Sequence, residues 1–192
     1  MKNITNFKVG ELIEPKYVIP MCLTYKQNNV EKKWELVKSH DSVSILLYHR
    51  DKNAFLLVKQ FRAPVYFNNK KDGITFELCA GIVDKDLDEF QIIQEEIDEE
   101  CGYKVEITNI ERVTSFYTSV GFSGSHQTLF YTEIDDSMKI HDGGGIDNEM
   151  IELFFLNLDD AKAFTLDESK PKTPGLMYAF YWFFDNKLIW VK

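Results

Sequence analysis

The sequence predicts a single domain that mixes β-strands with a few helices, of the α+β or layered α/β class. Short runs with strand-like alternation and composition fill the chain up to about residue 80, and similar runs return after residue 104. A helical segment with an apolar stripe separates the two regions. A chain of 192 residues is long enough for one full core and short for two.

The predicted strands are short and lie close together in the chain. In chain order they cover residues 18–25, 30–37, 42–48, 54–60, 74–78, 104–117, 128–134 and 151–158. The polar residues 49–53 are typical of the turn between the third and fourth of them. The strands before residue 40 are predicted to form a small sheet of their own.

Three helices are predicted. The first covers residues 88–101 and ends at Gly102, where a left-handed residue commonly ends a helix. A short helix follows at residues 159–164. The last, rich in aromatic residues, covers residues 174–184 and is expected to pack on the sheet or on a partner chain.

Composition and charge exclude several classes of protein. Hydrophobic residues at 44% and charged residues at 28% are typical of a folded protein rather than a disordered or collagen-like one. No apolar run reaches the roughly 18 residues that span a bilayer, and no signal-peptide pattern is predicted. Three cysteines at scattered positions favour a reducing, cytoplasmic compartment. A net charge of −9 argues against nucleic-acid binding and leaves metal-assisted phosphate chemistry open.

Acidic residues concentrate at the end of the first predicted helix, where five of the six residues from Glu95 to Glu100 are acidic. Such a run is often only a solvated helix face. Here, at about 100° per residue, Glu96, Glu99 and Glu100 fall in one arc beside the apolar stripe. That stripe consists of Phe90, Ile93, Ile97 and Cys101. Crowded carboxylates at the edge of a buried face favour a site for Mg²⁺, or alternatively Mn²⁺.

The segment from Gly81 to Tyr103 resembles the sequence box of the Nudix hydrolase family. The matching positions are Gly81, Glu96, Ile97, Glu99, Glu100, Gly102 and Tyr103. Two positions differ, because Leu87 stands where the family has glutamate and Glu95 stands where it has arginine. Glu95 and Glu99 are then like-charged neighbours at i and i+4, so a metal or a basic residue from elsewhere must compensate. A degenerate Nudix domain that binds without cleaving is the alternative.

The resemblance extends to the Nudix enzymes that hydrolyse nucleoside diphosphate sugars, and among them to those that cleave uridine diphosphate glucose. It rests on segments 59–65, 77–81, 117–125 and 143–145 and on Lys172 to Gly175. It implies hydrolysis of UDP-glucose to UMP and glucose 1-phosphate, with ADP-ribose or another ADP-sugar as the alternative substrate. It implies a Nudix fold, with mixed β-sheets sandwiched between helices, in residues 41–192. Residues 1–40 would be an antiparallel β extension that forms a homodimer, with no nucleic-acid or membrane partner.

The resemblance also assigns roles to residues. Mg²⁺, or Mn²⁺, would be held by the Ala80 carbonyl and by Glu96, Glu99 and Glu100. The implied substrate contacts are Arg62, Glu77, Gly81, Ser119 and Gly121, and the implied catalytic residues are Glu100, Glu149 and Glu152. Among the last, Glu149 is favoured as the general base and Glu152 is next. The plainer interpretations are a surface ion pair for Arg62, a flexible glycine loop at 143–145, and solvated side chains for both loop glutamates.

Overall fold

The computed structural model describes residues 4–69, 73–146 and 149–188. The strands are β1 Ile19–Gln27, β2 Val30–Lys38, β3 Ser42–His49, β4 Ala54–Phe61, β5 Ile74–Glu77, β6 Cys79–Ile82, β7 Glu111–Tyr117, β8 His126–Ile134 and β9 Glu152–Asn157. The α-helices are α1 Ala63–Asn69, α2 Glu89–Glu96, α3 Ala161–Leu166 and α4 Pro174–Asn186. No helix in the described ranges is long and apolar enough to cross a membrane.

Seven strands form one mixed sheet around β3. The order is β5-β4-β3-β8-β7, with β6 also paired to β3 and β9 also paired to β4. The β3–β8 pair is parallel, and the other pairs are antiparallel. In the β3–β6 pair, Ser44 lies opposite Ala80. The sheet therefore brings the segment before the predicted acidic helix to the centre of the fold.

Helices cover both faces of this sheet. On β3, Val43, Ile45 and Leu47 face a core that includes Ile93 and Ile97 of the acidic helix. Leu46 faces the opposite core, which α3 and α4 complete with their aromatic and aliphatic side chains. Alternate residues of a strand point to opposite faces, which explains how one apolar run serves two cores. The prediction of a mixed sheet between helices is confirmed.

The acidic helix has two parts. Helix α2 starts at the cap Asp88, whose carboxylate accepts the N–H of Gln91 at 2.9 Å while the Gln91 side chain accepts the N–H of Asp88 at 3.1 Å. A π-helical turn continues it from Ile97 to Cys101 and ends at Gly102, which has φ of 72°. The predicted end is thus confirmed, and the turn that carries Glu99 and Glu100 is wider than the predicted α-helix. Single π-turns are frequent at functional sites.

Strands β1 and β2 form a separate two-stranded antiparallel sheet, as predicted. The two-residue turn uses Asn28 and Asn29, with φ of 52° and 62°, which suits the favoured hairpin turn. The hairpin contacts the rest of the chain at the loop after β7. The N–H of Val37 donates to the carbonyl of Phe122 at 2.7 Å, and Trp34 Nε1 donates to the carbonyl of Gly121 at 2.9 Å.

Three elements differ from the predictions. The strand predicted over residues 104–117 begins only at Glu111, because residues 107–109 form a 3₁₀ turn. Helix α1 was not predicted, since its seven residues carry no buried apolar stripe. Its second residue is Pro64, which is tolerated in the first turn of a helix. Strand β6 is separate from β5, so the predicted single strand toward Gly81 is two short ones.

Candidate active site

The acidic turn packs directly on strand β6. Glu100 is only 4% exposed, and its Oε2 accepts the N–H of Ala80 at 3.1 Å. Glu96 lies over Gly81 so closely that a Cβ added there would overlap its carboxylate. Glycine is therefore needed at position 81 to let the Glu96 carboxylate approach the backbone. The structure brings Ala80, Gly81, Glu96 and Glu100 together, as the resemblance implies.

The triple glycine at residues 143–145 packs against the end of the acidic helix. The N–H groups of Gly144 and Gly145 donate to the carbonyls of Glu100 and Glu99 at 2.9 and 3.0 Å. These carbonyls belong to the last turn of the helix, where backbone acceptors otherwise have no partner. A Cβ added at Gly143 would overlap the carbonyl of Glu100. The glycines thus permit close backbone contact, which the interpretation as a flexible loop does not explain.

His141 fixes the start of this loop. Its Nδ1 accepts the N–H of Gly143 at 3.0 Å, so the ring proton is on Nε2. That Nε2 lies 2.6 Å from Oδ1 of Asp98 on the π-helical turn. His141 thus joins the glycine loop to the π-helical turn. Its role in attaching the loop to the helix was not foreseen.

Of the two candidate bases, Glu149 interacts electrostatically with the acidic turn. Its Oε2 accepts the N–H of Ile146 at 3.3 Å, and its charge acts on both Glu96 and Glu100. Glu152 instead pairs with Lys59 on the neighbouring strand β4 at 2.5 Å, and this hydrogen bond lowers the pKa of Glu152. Asp147 and Asn148, which directly precede Glu149, lie outside the described residues.

Arg62 follows β4 and is held by Glu77 of β5. Its Nε and Nη2 donate to the two Glu77 oxygens at 2.8 and 2.6 Å, and Thr75 Oγ1 donates to one of them. The hydrogen bonds to Glu77 raise the pKa of Arg62, and the charges of Glu100 and Glu149 act in the same direction. Burial alone would raise the pKa of Glu77, yet the contacts with Arg62 lower it. Glu77 therefore orients a cation that faces the acidic cluster.

A cavity of about 460 Å³ adjoins this cluster. Glu77, Ala80 and Ser119 line it, together with residues of β3, β7, β8 and the start of α4. Ser119 has φ of 47°, and its carbonyl accepts the N–H groups of Phe122 and Ser123, both at 2.9 Å. Gly121 is not among the residues of the cavity wall, and its carbonyl accepts a hydrogen bond from Trp34 of the hairpin. The cavity meets the carboxylate cluster at Ala80, which lines the cavity and whose N–H donates to Glu100.

Comparison with known proteins agrees with this geometry. A family profile for the NUDIX domain matches residues 38–175, which is more than half of the chain. The chain belongs to the Nudix family. It is 36% identical to the uridine diphosphate glucose pyrophosphatase of Bos taurus, with 96% of each chain covered. The enzyme of the same name from Mus musculus is 37% identical, with 97% of this chain and 96% of the relative covered. A GDP-mannose pyrophosphatase of Cronobacter sakazakii is 36% identical over 79% of this chain and 80% of the relative.

Lys85 compensates for the departure from the Nudix pattern at Glu95. Its Nζ lies 2.6 Å from Glu95 Oε2, with the two side chains 46% and 43% exposed. The hydrogen bond to Glu95 raises the pKa of Lys85, and the charges of Glu99 and Glu96 add to this effect. The basic residue that the like-charged pair of Glu95 and Glu99 requires is thus supplied by the loop between β6 and α2. Lys85 therefore supplies a positive charge beside Glu95 in a Nudix box that lacks its arginine.

A charge-swap cycle tests this role of Lys85. We expect Lys85→Glu to lower the free energy of unfolding and the added change Glu95→Lys to restore it, because opposite charges are again paired. The coupling free energy should be at most about 1 kcal/mol, as for other exposed ion pairs, and should fall with added salt. Urea unfolding of both single variants and the double variant measures it. A coupling of zero at low salt would contradict the pairing.

The donor set of the Nudix box suits a hard divalent cation. Burial raises the pKa of Glu96 to about 7, with the charges of Glu99 and Glu149 acting in the same direction. Burial raises the pKa of Glu100 to about 8, although the N–H of Ala80 opposes this, and the Glu96 charge adds to it. Carboxylates that are destabilised by one another are stabilised by a cation among them. Oxygen ligands in this number fit Mg²⁺ or Mn²⁺.

Glu96 and Glu100 should make the stability of the metal-free protein fall as the pH rises, and Mg²⁺ should counteract this fall. Because folding raises both pKa values above 4.5, the metal-free protein retains protons that the unfolded chain releases, and its stability falls from about pH 5 to about pH 8. Mg²⁺ needs the ionised carboxylates, so it should raise the melting temperature more at about pH 8 than at about pH 5.5. Thermal unfolding with Mg²⁺ and with EDTA measures both effects. An equal gain at both pH values would contradict the assignment.

A second group of close donors lies elsewhere. Donor atoms of His49, Asp51 and Asp136 lie within 4.8 Å of one another. Lys52 already occupies this group, since its Nζ pairs with Asp136 and lies 3.0 Å from His49 Nε2. His49 lies on β3 roughly 16 Å along the strand from Ser44, the partner of Ala80, and beside Tyr103 at the far end of the Nudix box, with the His49 and Tyr103 ring centroids 5.8 Å apart. It is therefore a separate ion-pair cluster.

Proposed function

We propose that the protein hydrolyses the pyrophosphate bond of UDP-glucose to give UMP and glucose 1-phosphate, with Mg²⁺ as the cofactor. The observation that carries this proposal is the convergence of Glu96, Glu100 and Glu149 beside Ala80, with Arg62 facing them. Membership of the Nudix family and the names of the relatives support the broader class, an enzyme that hydrolyses nucleoside diphosphate sugars. The near full-length match to the two uridine diphosphate glucose pyrophosphatases supports the substrate.

The negative charge of the pyrophosphate determines the role proposed for each residue. Its two phosphates repel an incoming nucleophile, so their charge must be neutralised. Mg²⁺, held by Glu96, Glu100 and the Ala80 carbonyl with Glu99 assisting, would neutralise that charge and acidify the attacking water. Arg62 is oriented by Glu77 through two of its N–H groups, which leaves its other N–H groups to bind the pyrophosphate. Glu77 thus acts on the substrate through Arg62.

Glu149 is proposed as the general base that takes the proton of the attacking water. The glycine loop carries it, and the loop is attached to the helix by the bonds of Gly144, Gly145 and His141. This attachment supports a fixed position of the base relative to the carboxylates that hold the metal. Glu152 is the second candidate, and its hydrogen bond with Lys59 lowers its pKa, which disfavours it as a base.

Other nucleotide sugars are the nearest alternatives, and a domain that binds a sugar nucleotide without cleaving it is the farther one. The identity to a GDP-mannose pyrophosphatase favours including that substrate with ADP-ribose in the test. We expect UMP release from UDP-glucose to exceed AMP release from ADP-ribose and GMP release from GDP-mannose. Nucleotide release measured by chromatography, with Mg²⁺ and with EDTA, decides among them. Faster release of AMP or GMP would show that ADP-ribose or GDP-mannose is the preferred substrate. No release from any of the three would favour a domain that binds a sugar nucleotide without cleaving it.

We also propose that the enzyme is a cytoplasmic homodimer with no nucleic-acid or membrane partner, and that residues 1–40 are the extension that pairs the chains. One face of the hairpin carries apolar side chains that are 38% to 52% exposed in the single chain. They are Ile19, Met21, Leu23, Tyr25 and Trp34. An apolar face of this kind favours an interface, since soluble chains seldom expose one.

Substitution at the centre of this face should produce a monomer. Leu23 lies opposite Trp34, and Leu23→Lys would place a charge inside the proposed interface. Thr24→Lys is the matched control, because Thr24 points to the other face of the same strand. Sedimentation velocity should give a dimer for the wild type and the control, and a monomer for Leu23→Lys. A wild-type monomer at high concentration would contradict the proposal.

A further inference from the structure

The cavity beside the Nudix box has a hydroxyl-rich wall in which one described residue is charged. Its uncharged polar side chains are those of Ser42, Ser44, Tyr117, Thr118, Ser119, Gln127 and Thr173. Glu77 is the charged residue among its described lining, and Arg62 already binds both of its oxygens. Phe116 and Pro174 add apolar surface. Such a wall suits a neutral ligand group with many hydroxyls better than a phosphate.

Ser44 is the unusual member of this wall. It is only 2% exposed, and its Oγ has no hydrogen-bond partner in the described part of the chain. Most buried hydroxyls in folded proteins have a partner, so an unpaired one that lines a cavity indicates a partner supplied by a ligand. Ser44 also lies opposite Ala80 in the β3–β6 pair. The Ser44 side chain therefore shares the α4 face of the sheet with that of Ala80, the residue at which this cavity meets the carboxylate cluster.

Neighbouring groups fix the geometry around Ser44. Gln127 of β8 donates from Nε2 to Ser42 Oγ at 3.0 Å. Its Oε1 faces Gly175 in the first turn of α4, where an added Cβ would lie 3.1 Å away. The amide is thus held between β3 and α4, with its orientation set before a ligand binds. A preorganised polar wall of this kind favours discrimination between ligands.

We propose that this cavity binds the sugar of the nucleotide sugar and that the Ser44 hydroxyl makes a hydrogen bond to a sugar hydroxyl that determines specificity. The inference rests on the proposed function for the class of ligand. Serine hydroxyls both donate and accept, as sugar hydroxyls do, whereas the edge of a nucleobase has fixed donors and acceptors. The hydroxyl-rich wall separates the sugar end from the phosphate end of the same site.

Binding of the two reaction products to the full chain tests this assignment without requiring turnover. We expect Ser44→Ala to weaken binding of glucose 1-phosphate by about tenfold and to change UMP binding by less than about twofold, as for loss of one hydrogen bond. Calorimetric titration in the presence of Mg²⁺ measures both dissociation constants. The melting temperature of Ser44→Ala should equal or exceed that of the wild type, because the lost hydroxyl has no partner.

Thr132→Val is the matched control. Thr132 is also buried, at 1% exposure, but its hydroxyl donates to the carbonyl of Asn109 at 2.9 Å and is not part of the cavity wall. This variant should lower the melting temperature and leave both dissociation constants unchanged.

Weaker UMP binding in Ser44→Ala with unchanged glucose 1-phosphate binding would overturn the inference by placing the nucleoside in the cavity. Unchanged dissociation constants for both UMP and glucose 1-phosphate in Ser44→Ala would also overturn the inference. So would the absence of glucose 1-phosphate binding by the wild type. Failure of the proposed function would appear separately, as the absence of Mg²⁺-dependent hydrolysis by the wild type.

Discussion

Replacing Glu100 by glutamine is expected to lower kcat for UDP-glucose by about 10³-fold, because charge stabilisation by the metal is worth several kcal/mol. The amide keeps the shape of the side chain and its contact with the N–H of Ala80, but it supplies no negative charge. Glu100 is nearly fully buried, so neither water nor a neighbouring side chain can replace it. Initial rates at saturating substrate, over a range of Mg²⁺ concentrations, measure the effect.

Two further measurements separate this loss from misfolding. Removing an ionised group whose pKa burial raises to about 8 should increase the melting temperature of the metal-free protein at about pH 8. Mg²⁺ should then add little to the stability of Glu100→Gln. Glu106→Gln, an exposed glutamate after the box, is the control and should keep the wild-type rate and Mg²⁺ response. A Glu100→Gln enzyme with wild-type kcat would show that the proposed metal site is wrong.

Replacing Glu149 by glutamine should lower kcat by about 10²- to 10³-fold, the usual contribution of a general base. Glu149 is not proposed as a metal ligand, so Mg²⁺ binding should change much less than in Glu100→Gln, and KM should change little. The remaining activity should rise when stronger exogenous bases such as hydroxide are supplied at high pH. Steady-state kinetics across pH, together with calorimetric Mg²⁺ titration, measure these effects.

Glu152→Gln is the comparison variant that tests the assignment of Glu149 as the general base. Glu152 is paired with Lys59, and we expect its loss to cost less activity than that of Glu149. A larger decrease in Glu152→Gln than in Glu149→Gln would transfer the role to Glu152. Equal and large decreases would show that the two residues act together on the loop.

Much of the fold could be predicted because its signals are local in the chain. The strand bounds follow from alternation and turn residues, as at β3 and β4, and Gly102 marks the end of the acidic helix. The π-helical turn could not be predicted, since it depends on how Glu100 and Cys101 pack against β6. Helix α1 lacks a buried face and so has no periodic signal.

Residues of the candidate site could be predicted where they lie within one sequence motif. Gly81, Glu96 and Glu100 are placed by the spacing of the box, and the structure brings them together. Lys85 was not foreseen, because its pairing with Glu95 joins a loop to a helix with no fixed spacing. His141 and Ser44 depend on contacts between distant segments, and a single histidine or serine carries no pattern that would indicate them.

Phosphorus NMR of UDP-glucose incubated with the protein, with Mg²⁺ and with EDTA, tests the central claim most directly. The account predicts that the pyrophosphate resonances disappear only with Mg²⁺ and are replaced by those of UMP and glucose 1-phosphate in equal amounts. Unchanged pyrophosphate resonances with Mg²⁺, or release of UDP and free glucose, would contradict it.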